Sequence, residues 1–349
     1  MIIVIQGQIV HYRKAFFNEL SKNERVIVVH SGSKSKNSND KFEEVILPKK
    51  NFGPFTFQLG LSKLIKHENP STVIAMFDIK WINSVFSMFI FDRRKNWIWW
   101  GLDRGKNSTA LKIKCWISKR NNPIVFYSEN IRRNFLEFGL ESKKLFVANN
   151  TFYVKSAVPC FEWAIKNSFI NVGSLNKRKQ NDITIKSFKT VLHETRKDLK
   201  LLLIGDGEDR DRLERLVINE GLSDHVIFLG EIDDPIALKK YYQEAIASVS
   251  YGQAGLAVLQ SMAFGVPFIT KYSAISGGEK FNIIDGVNGF FCDDTQKSLV
   301  DIMIKLVKNP LVASKAGENA YYYYNNNATL KNMVNGFLLA KKYAEDCRA

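Results

Sequence analysis

The stretch ASVSYGQAGLAVLQSMAFGVPFIT, residues 247–270, reads as a strand, a turn, a helix, a stop and a second strand. Leu256, Leu259, Met262 and Ala263 recur at helical spacing, which gives the helix one apolar face. Gly265 suits the left-handed residue just past a helix end, and Pro267 cannot continue the helix. Phe268, Ile269 and Thr270 then begin an apolar strand. Two glycines, Gly252 and Gly255, let the backbone approach a ligand at the first turn of the helix. Free N–H groups and the positive helix end attract an anion to such a place. The stretch contains no carboxylate to do chemistry beside it.

The same alternation runs through the whole chain. The second half holds SFINVGS (168–174), KLLLIGDG (200–207) and HVIFLGE (225–231), separated by the amphipathic patterns NDITIKSFKTVLHETR and EDRDRLERLVINEG. The first half holds IIVIQG (2–7), RVIVVHSG (25–32), TVIAMF (72–77), NWIWWG (96–101), PIVFYS (123–128) and KLFVANN (144–150), with helical runs such as YRKAFFNELSKN between them. Unbroken apolar strands alternating with amphipathic helices mean parallel sheets covered on both faces. The fold class is α/β, with two doubly wound Rossmann-like domains facing across a cleft, which suits 349 residues. The expected boundaries are 1–155 and 156–325, with 326–349 a helix returning toward the first domain. NNTFYVKSAVPCFEWAIKNS (149–168) is the expected crossover.

Bulk properties narrow the function. The chain is 45% hydrophobic and 24% charged, a globular balance. Cys115, Cys160, Cys292 and Cys347 show no paired spacing, which argues against a disulfide framework or a zinc site and for a reducing cytoplasm. The apolar start followed by charge reverses the order of a signal peptide. WINSVFSMFIFDRRKNWIWW (81–100) is broken by Asp92, Arg93, Arg94 and Lys95, so it is not a spanning helix.

The net charge of +15 is placed unevenly. Residues 1–155 carry 26 Lys+Arg against 12 Asp+Glu, and the remainder is nearly neutral. A basic first half suggests an anionic partner surface. Trp81, Trp97, Trp99 and Trp100 lie near Arg93, Arg94, Lys95, Arg104 and Lys106, a mixture that suits either a membrane interface or a core strand with a basic loop. No groove-reading or base-stacking motif accompanies the charge, so nucleic acid is not an expected partner.

Ligands of doubly wound sheets bind beyond the carboxyl ends of strands. The loops to watch are Gly173–Lys179, Gly205–Asp209, Gly230–Asp234 and Tyr251–Gly255. From about Phe169 to Asp293 the chain resembles the retaining glycosyltransferases of family 4, which have the GT-B fold. NVGSLNKRKQ, LLLIGDGED, VIFLGEI, GLAVLQSMAFGVPFIT and DGVNGFF follow one another as that family's donor-domain motifs do. HYRKAFFNEL and YSENIRRNFLEFGLESKKLFVANNTF match its first half more faintly.

The resemblance implies metal-independent transfer of a sugar from a nucleotide-diphosphate sugar, of UDP or GDP type, with retention at the anomeric carbon. The donor is a substrate, and no separate cofactor is expected. The anion is then the donor diphosphate, held by the N–H groups of Gly255 and Leu256 and by the ammonium of Lys179. Gly173, Ser174, Gly205, Asp206, Gly230, Glu231 and Gln253 complete the expected donor site. Gln260 would face the ribose, and Glu279, after two glycines, would face the sugar. The family usually carries two glutamates eight positions apart here, where this chain has Gly252 and Gln260; it often carries an arginine where this chain has Ser174. On the acceptor side His11 and Arg13 follow the first strand, and Asp103 in WGLDRGK would accept a proton.

The expected partner is a saccharide acceptor, lipid-linked, for surface polysaccharide of the O-antigen kind. The protein would be cytoplasmic and peripherally attached to the anionic inner leaflet. A sugar-nucleotide epimerase of the same architecture and a non-catalytic partner subunit are the other readings open from the sequence.

Overall fold

The computed structural model describes residues 1–91, 95–101, 108–118, 122–154, 159–162 and 165–347, with the backbone alone at 108–111. The chain divides into two compact units. Unit 1 is Met1–Asn150 with Leu330–Ala349, and unit 2 is Thr151–Thr329.

Unit 1 contains strands β1 (Ile2–Ile5), β2 (Val26–His30), β3 (Glu43–Ile46), β4 (Lys49–Phe52), β5 (Phe55–Gln58), β6 (Thr72–Met76), β7 (Asn96–Gly101), β8 (Ile124–Phe126) and β9 (Leu145–Val147). Its helices are α1 (Lys14–Leu20), α2 (Leu61–Glu68), α3 (Ile82–Phe91), α4 (Ser108–Ser118) and α5 (Glu129–Glu137). Seven parallel strands form one sheet in the order β3-β2-β1-β6-β7-β8-β9. β4 and β5 make a separate antiparallel hairpin. The strand order reverses between β1 and β6, which makes their carboxyl ends the switch point. β1 and β2 are buried along their whole length, as central parallel strands must be.

The three tryptophans of β7 settle the alternative left open by the sequence. Trp97, Trp99 and Trp100 are fully buried. Trp99 stacks on Phe77 with ring centroids 5.0 Å apart, and Trp100 packs on Phe16 at 5.2 Å. They are core residues of a strand and do not face a membrane. Arg93, Arg94, Arg104 and Lys106 lie outside the described residues.

Unit 2 contains β10 (Ser168–Val172), β11 (Lys200–Ile204), β12 (Val226–Gly230), β13 (Ala245–Val249), β14 (Phe268–Lys271) and β15 (Gly289–Cys292). Its helices are α6 (Asn181–Thr195), α7 (Arg210–Asn219), α8 (Pro235–Gln243), α9 (Ala257–Ala263), α10 (Gln296–Lys308) and α11 (Pro310–Asn327). The six strands are parallel in the order β12-β11-β10-β13-β14-β15, with the reversal between β10 and β13. Apolar clusters cover both faces of this sheet. Phe169, Phe188, Leu203 and Leu299 lie in one, and Ile170, Tyr242, Leu259 and Phe264 in the other. Both units are thus doubly wound and Rossmann-like.

The last helix, α12 (Leu330–Asp346), belongs to unit 1 and packs on α1, β7, β8 and β9. Phe337 contacts Trp100 at 4.9 Å and Phe16 at 5.0 Å. A Cβ at Gly336 would lie 2.4 Å from the Val147 carbonyl oxygen, so glycine is what lets the helix rest on the end of β9.

Three features were not anticipated from the sequence: β3, the β4–β5 hairpin and β15. β3 and the hairpin carry glutamates and lysines and are largely exposed, so they lack the apolar run that marks a buried strand. Among the described residues no helix is long and apolar enough to cross a membrane. The basic surplus lies wholly in unit 1, with 29 Lys+Arg against 14 Asp+Glu, whereas unit 2 has 21 of each.

Candidate functional site

At the switch point of unit 2 the loops after the strands interlock through their backbones. Gly173 N donates to Ile204 O at 2.8 Å, Leu175 N to Asp206 O at 2.8 Å, and Gly205 N to Gly230 O at 2.7 Å. Gly252 N donates to Lys179 O at 2.9 Å, and Ala254 N to Ile275 O at 2.9 Å. The loops after β10 to β14 are therefore one connected surface. Close approach demands glycine in places. A Cβ at Gly205 would stand 2.2 Å from Gly173 O, and one at Gly252 would stand 2.3 Å from Arg178 O. No side chain, glutamate included, fits at 252 without moving the turn that carries Lys179.

Lys179 ends a short 3-10 turn, Lys177–Lys179, opened by Asn176, whose side-chain oxygen accepts from Arg178 N at 3.1 Å. Its side chain folds back under the loop, and Nζ donates to Val172 O at 3.0 Å. The residue is 8% exposed, and no carboxylate pairs with it among the described residues. Burial alone pushes the ammonium down to about 8. A buried cation with one neutral partner and no counter-ion is costly unless an anion arrives. The exposed Lys177 and Arg178 stand on the same turn.

The helix of the opening stretch starts at Ala257, and its residues from Val258 to Ala263 are all buried. A single apolar face was expected; contacts with α11, β14 and the 3-10 turn Glu279–Asn282 enclose the helix on every side instead. Gly265 has φ +69, the left-handed conformation expected past the helix end. The N–H groups of Gly255 and Leu256 precede the helix and make no hydrogen bond among the described residues. Gln260 is 5% exposed; its backbone N–H donates to Leu256 O at 2.9 Å, and its side-chain amide has no hydrogen-bond partner among the described residues.

Glu279 is buried in its turn. Its carboxylate accepts from Gly277 N at 2.9 Å and from Ser276 Oγ at 3.1 Å. Asn282 Nδ2 donates to Glu279 O at 2.9 Å, and Tyr323 of α11 donates to Asn282 Oδ1 at 3.2 Å. Tyr323 of the tyrosine run therefore braces this turn, a role its sequence did not disclose.

The remaining expected residues are placed as follows. Ser174 is exposed, and its hydroxyl accepts from Asn176 Nδ2 at 2.9 Å. Asp206 is exposed and accepts from Gly207 N at 2.7 Å and Arg210 Nη1 at 3.0 Å, and these bonds, Gly207 first, hold its carboxyl below the usual range. Glu231 is exposed just after β12. The Gln253 carbonyl accepts from Ser250 Oγ at 2.7 Å. Gly173, Lys179, Gly205, Gly230, Gln253, Gly255 and Leu256 thus share one loop surface, with Gln260 and Glu279 on the elements beside it. His11 is exposed in unit 1, at the start of the turn His11–Arg13. Asp103 lies outside the described residues.

Residues 164–323 match the family model described as glycosyl transferases group 1. The chain is 30% identical over 164 residues to N-acetyl-alpha-D-glucosaminyl L-malate synthase of Bacillus anthracis, covering 46% of this chain and 42% of that protein. It is 36% identical over 93 residues to the lipopolysaccharide core biosynthesis glycosyltransferase LpsE of Rhizobium meliloti, covering 27% of this chain and 26% of that protein. The chain spans less than half the length of these curated relatives. Anabaena Alr3699/HepE, solved in complex with UDP, superposes with a TM-score of 0.74 at 15% identity over 99% of both chains. The fold is that of the GT-B glycosyltransferases.

Proposed function

We propose that the protein is a group 1 glycosyltransferase that takes a sugar from a nucleotide-diphosphate sugar and places it on a saccharide hydroxyl. The observation that carries this reading is the buried, uncompensated ammonium of Lys179 in the interlocked loops at the unit 2 switch point, within the residues that match the family model. A leaving nucleoside diphosphate gains negative charge as its bond to the anomeric carbon breaks. A fixed cation that is stronger against the departing diphosphate than against the bound donor lowers that barrier. The Gly255 and Leu256 N–H groups, which make no hydrogen bond among the described residues, supply further donors to the same anion.

In this reading the transfer retains anomeric configuration. The acceptor oxygen bonds to the anomeric carbon on the face the diphosphate leaves, and the departing phosphate oxygen takes the acceptor proton. Glu279, held by Ser276 and Gly277, orients the sugar. Neither a metal nor a separate cofactor takes part. Relatives named for lipopolysaccharide work favour surface polysaccharide as the product.

We further propose a lipid-linked acceptor and peripheral attachment to the anionic inner leaflet. The whole basic surplus lies in unit 1, and α3 and α4 expose Phe86, Ile90, Ile113 and Trp116. Thermal-shift titration with UDP, GDP and their sugar conjugates tests the donor site, because a ligand at a hundred times its Kd stabilises by about 2.7 kcal/mol. Donor hydrolysis without acceptor then tests catalysis. Absence of any nucleotide shift would overturn the reading.

A further inference from the structure

The switch point of unit 1 holds a second cation without a counter-ion. β1 ends at Ile5, and the chain passes through Gln6 before the turn His11–Arg13. The Arg13 guanidinium lies over the indole of Trp100, 4.7 Å from the ring centroid. It donates to Tyr127 Oη at 2.6 Å and to Gln6 Oε1. Both partners are neutral. Arg25, Arg132 and Arg133 of the same unit each pair with a glutamate, whereas Arg13 pairs with no acid among the described residues. Two of its five N–H groups are used, and Nε is buried without a partner.

The neighbouring side chains repeat the pattern. Gln6 is fully buried and its Nε2 has no partner. Gln58, 1% exposed, donates to Gln6 O at 3.0 Å and leaves its own Oε1 without a partner. Buried polar atoms are ordinarily satisfied, so a group of them around an unpaired cation calls for a ligand. Trp100, Tyr127 and Gln6 fix the guanidinium plane, which suits two-point recognition of an oxyanion.

We propose that unit 1 binds a phosphate or carboxylate group at Arg13. The acceptor is then an acidic saccharide or a saccharide phosphate, an inference that rests on the transferase reading. In this account Arg13 determines acceptor specificity and takes no part in breaking the donor bond.

The test is calorimetric binding of glucose 6-phosphate, glucuronate and glucose to the full chain as wild type, Arg13→Gln and Lys179→Ala. At least one of the two anions should bind wild type and Lys179→Ala about tenfold more tightly than glucose, because charge-assisted hydrogen bonds are worth that much. Arg13→Gln should lose the preference while binding UDP as wild type does. Which anion is preferred distinguishes phosphate from carboxylate. Equal binding of all three compounds by wild type overturns the proposal without need of any variant. So does an anion preference that survives Arg13→Gln and disappears in Lys179→Ala. Failure of UDP to bind wild type would count against the transferase reading alone and leave the anion result standing.

Discussion

In the proposed donor site, Lys179 makes nucleotide binding depend on pH. Its ammonium is pushed down to about 8 in the folded protein against 10.5 in the unfolded chain. Between those values the unfolded chain binds more protons, so this group makes the stability of the free protein rise with pH. An anionic donor needs the protonated form, so binding weakens as pH climbs through 8. UDP affinity measured by calorimetry should fall by about thirtyfold from pH 7 to 9.5, and Lys179→Ala should flatten the profile while slowing turnover about a hundredfold. Gln260 offers a complementary test. A carboxylate at this 5% exposed position would lack a partner in the free protein and would gain ribose hydroxyls in the complex. Gln260→Glu should therefore lower the melting temperature of the free protein and enlarge the shift produced by UDP. A smaller UDP shift would place Gln260 away from the ribose.

At the scale of elements, the loop after β13 is shaped by its neighbour. Gly252→Ala would put a methyl 2.3 Å from Arg178 O, so it should cost about 2 kcal/mol in denaturant unfolding and weaken UDP binding by displacing the Lys179 turn. The sequence showed only that a glycine stands where the resemblance implies a glutamate; the Arg178 carbonyl leaves no room for a side chain there. Strand and helix alternation was legible because β1, β2, β7 and β11 are unbroken apolar runs. β3 was not, since EEVI at a sheet edge carries no such run. The order of the loops at the unit 2 switch point could be read because each follows its strand directly. Arg13 could be read as an acceptor-side residue from its place after the first strand, but its partners could not, because Tyr127 lies 114 residues from it and only the sheet brings them together. A polar Gln6 closing the run IIVI was the one local sign of those partners. The exposed apolar residues of α3 carry a further prediction. Replacing Phe86 and Ile90 by glutamate should reduce co-sedimentation with anionic vesicles and leave UDP binding unchanged.

For the whole molecule, charge and chain path are both asymmetric. Unit 1 holds the entire basic surplus, so vesicle binding should fade between low salt and about 0.5 M, as the screening length shrinks well below 8 Å. The path matters for a different reason. Unit 2 is one continuous segment, 151–329, whereas unit 1 is completed only by α12. Until α12 leaves the ribosome, Phe16 and Trp100 lack Phe337, and the newborn first unit presents an uncovered aromatic surface. Unit 2 can therefore mature before the unit that precedes it in the chain. A chain stopped at Thr329 should lose amide-exchange protection in β7 to β9 and keep it in β10 to β14. Chaperone dependence in the cell should accordingly track the time ribosomes spend translating the distance between residue 150 and α12.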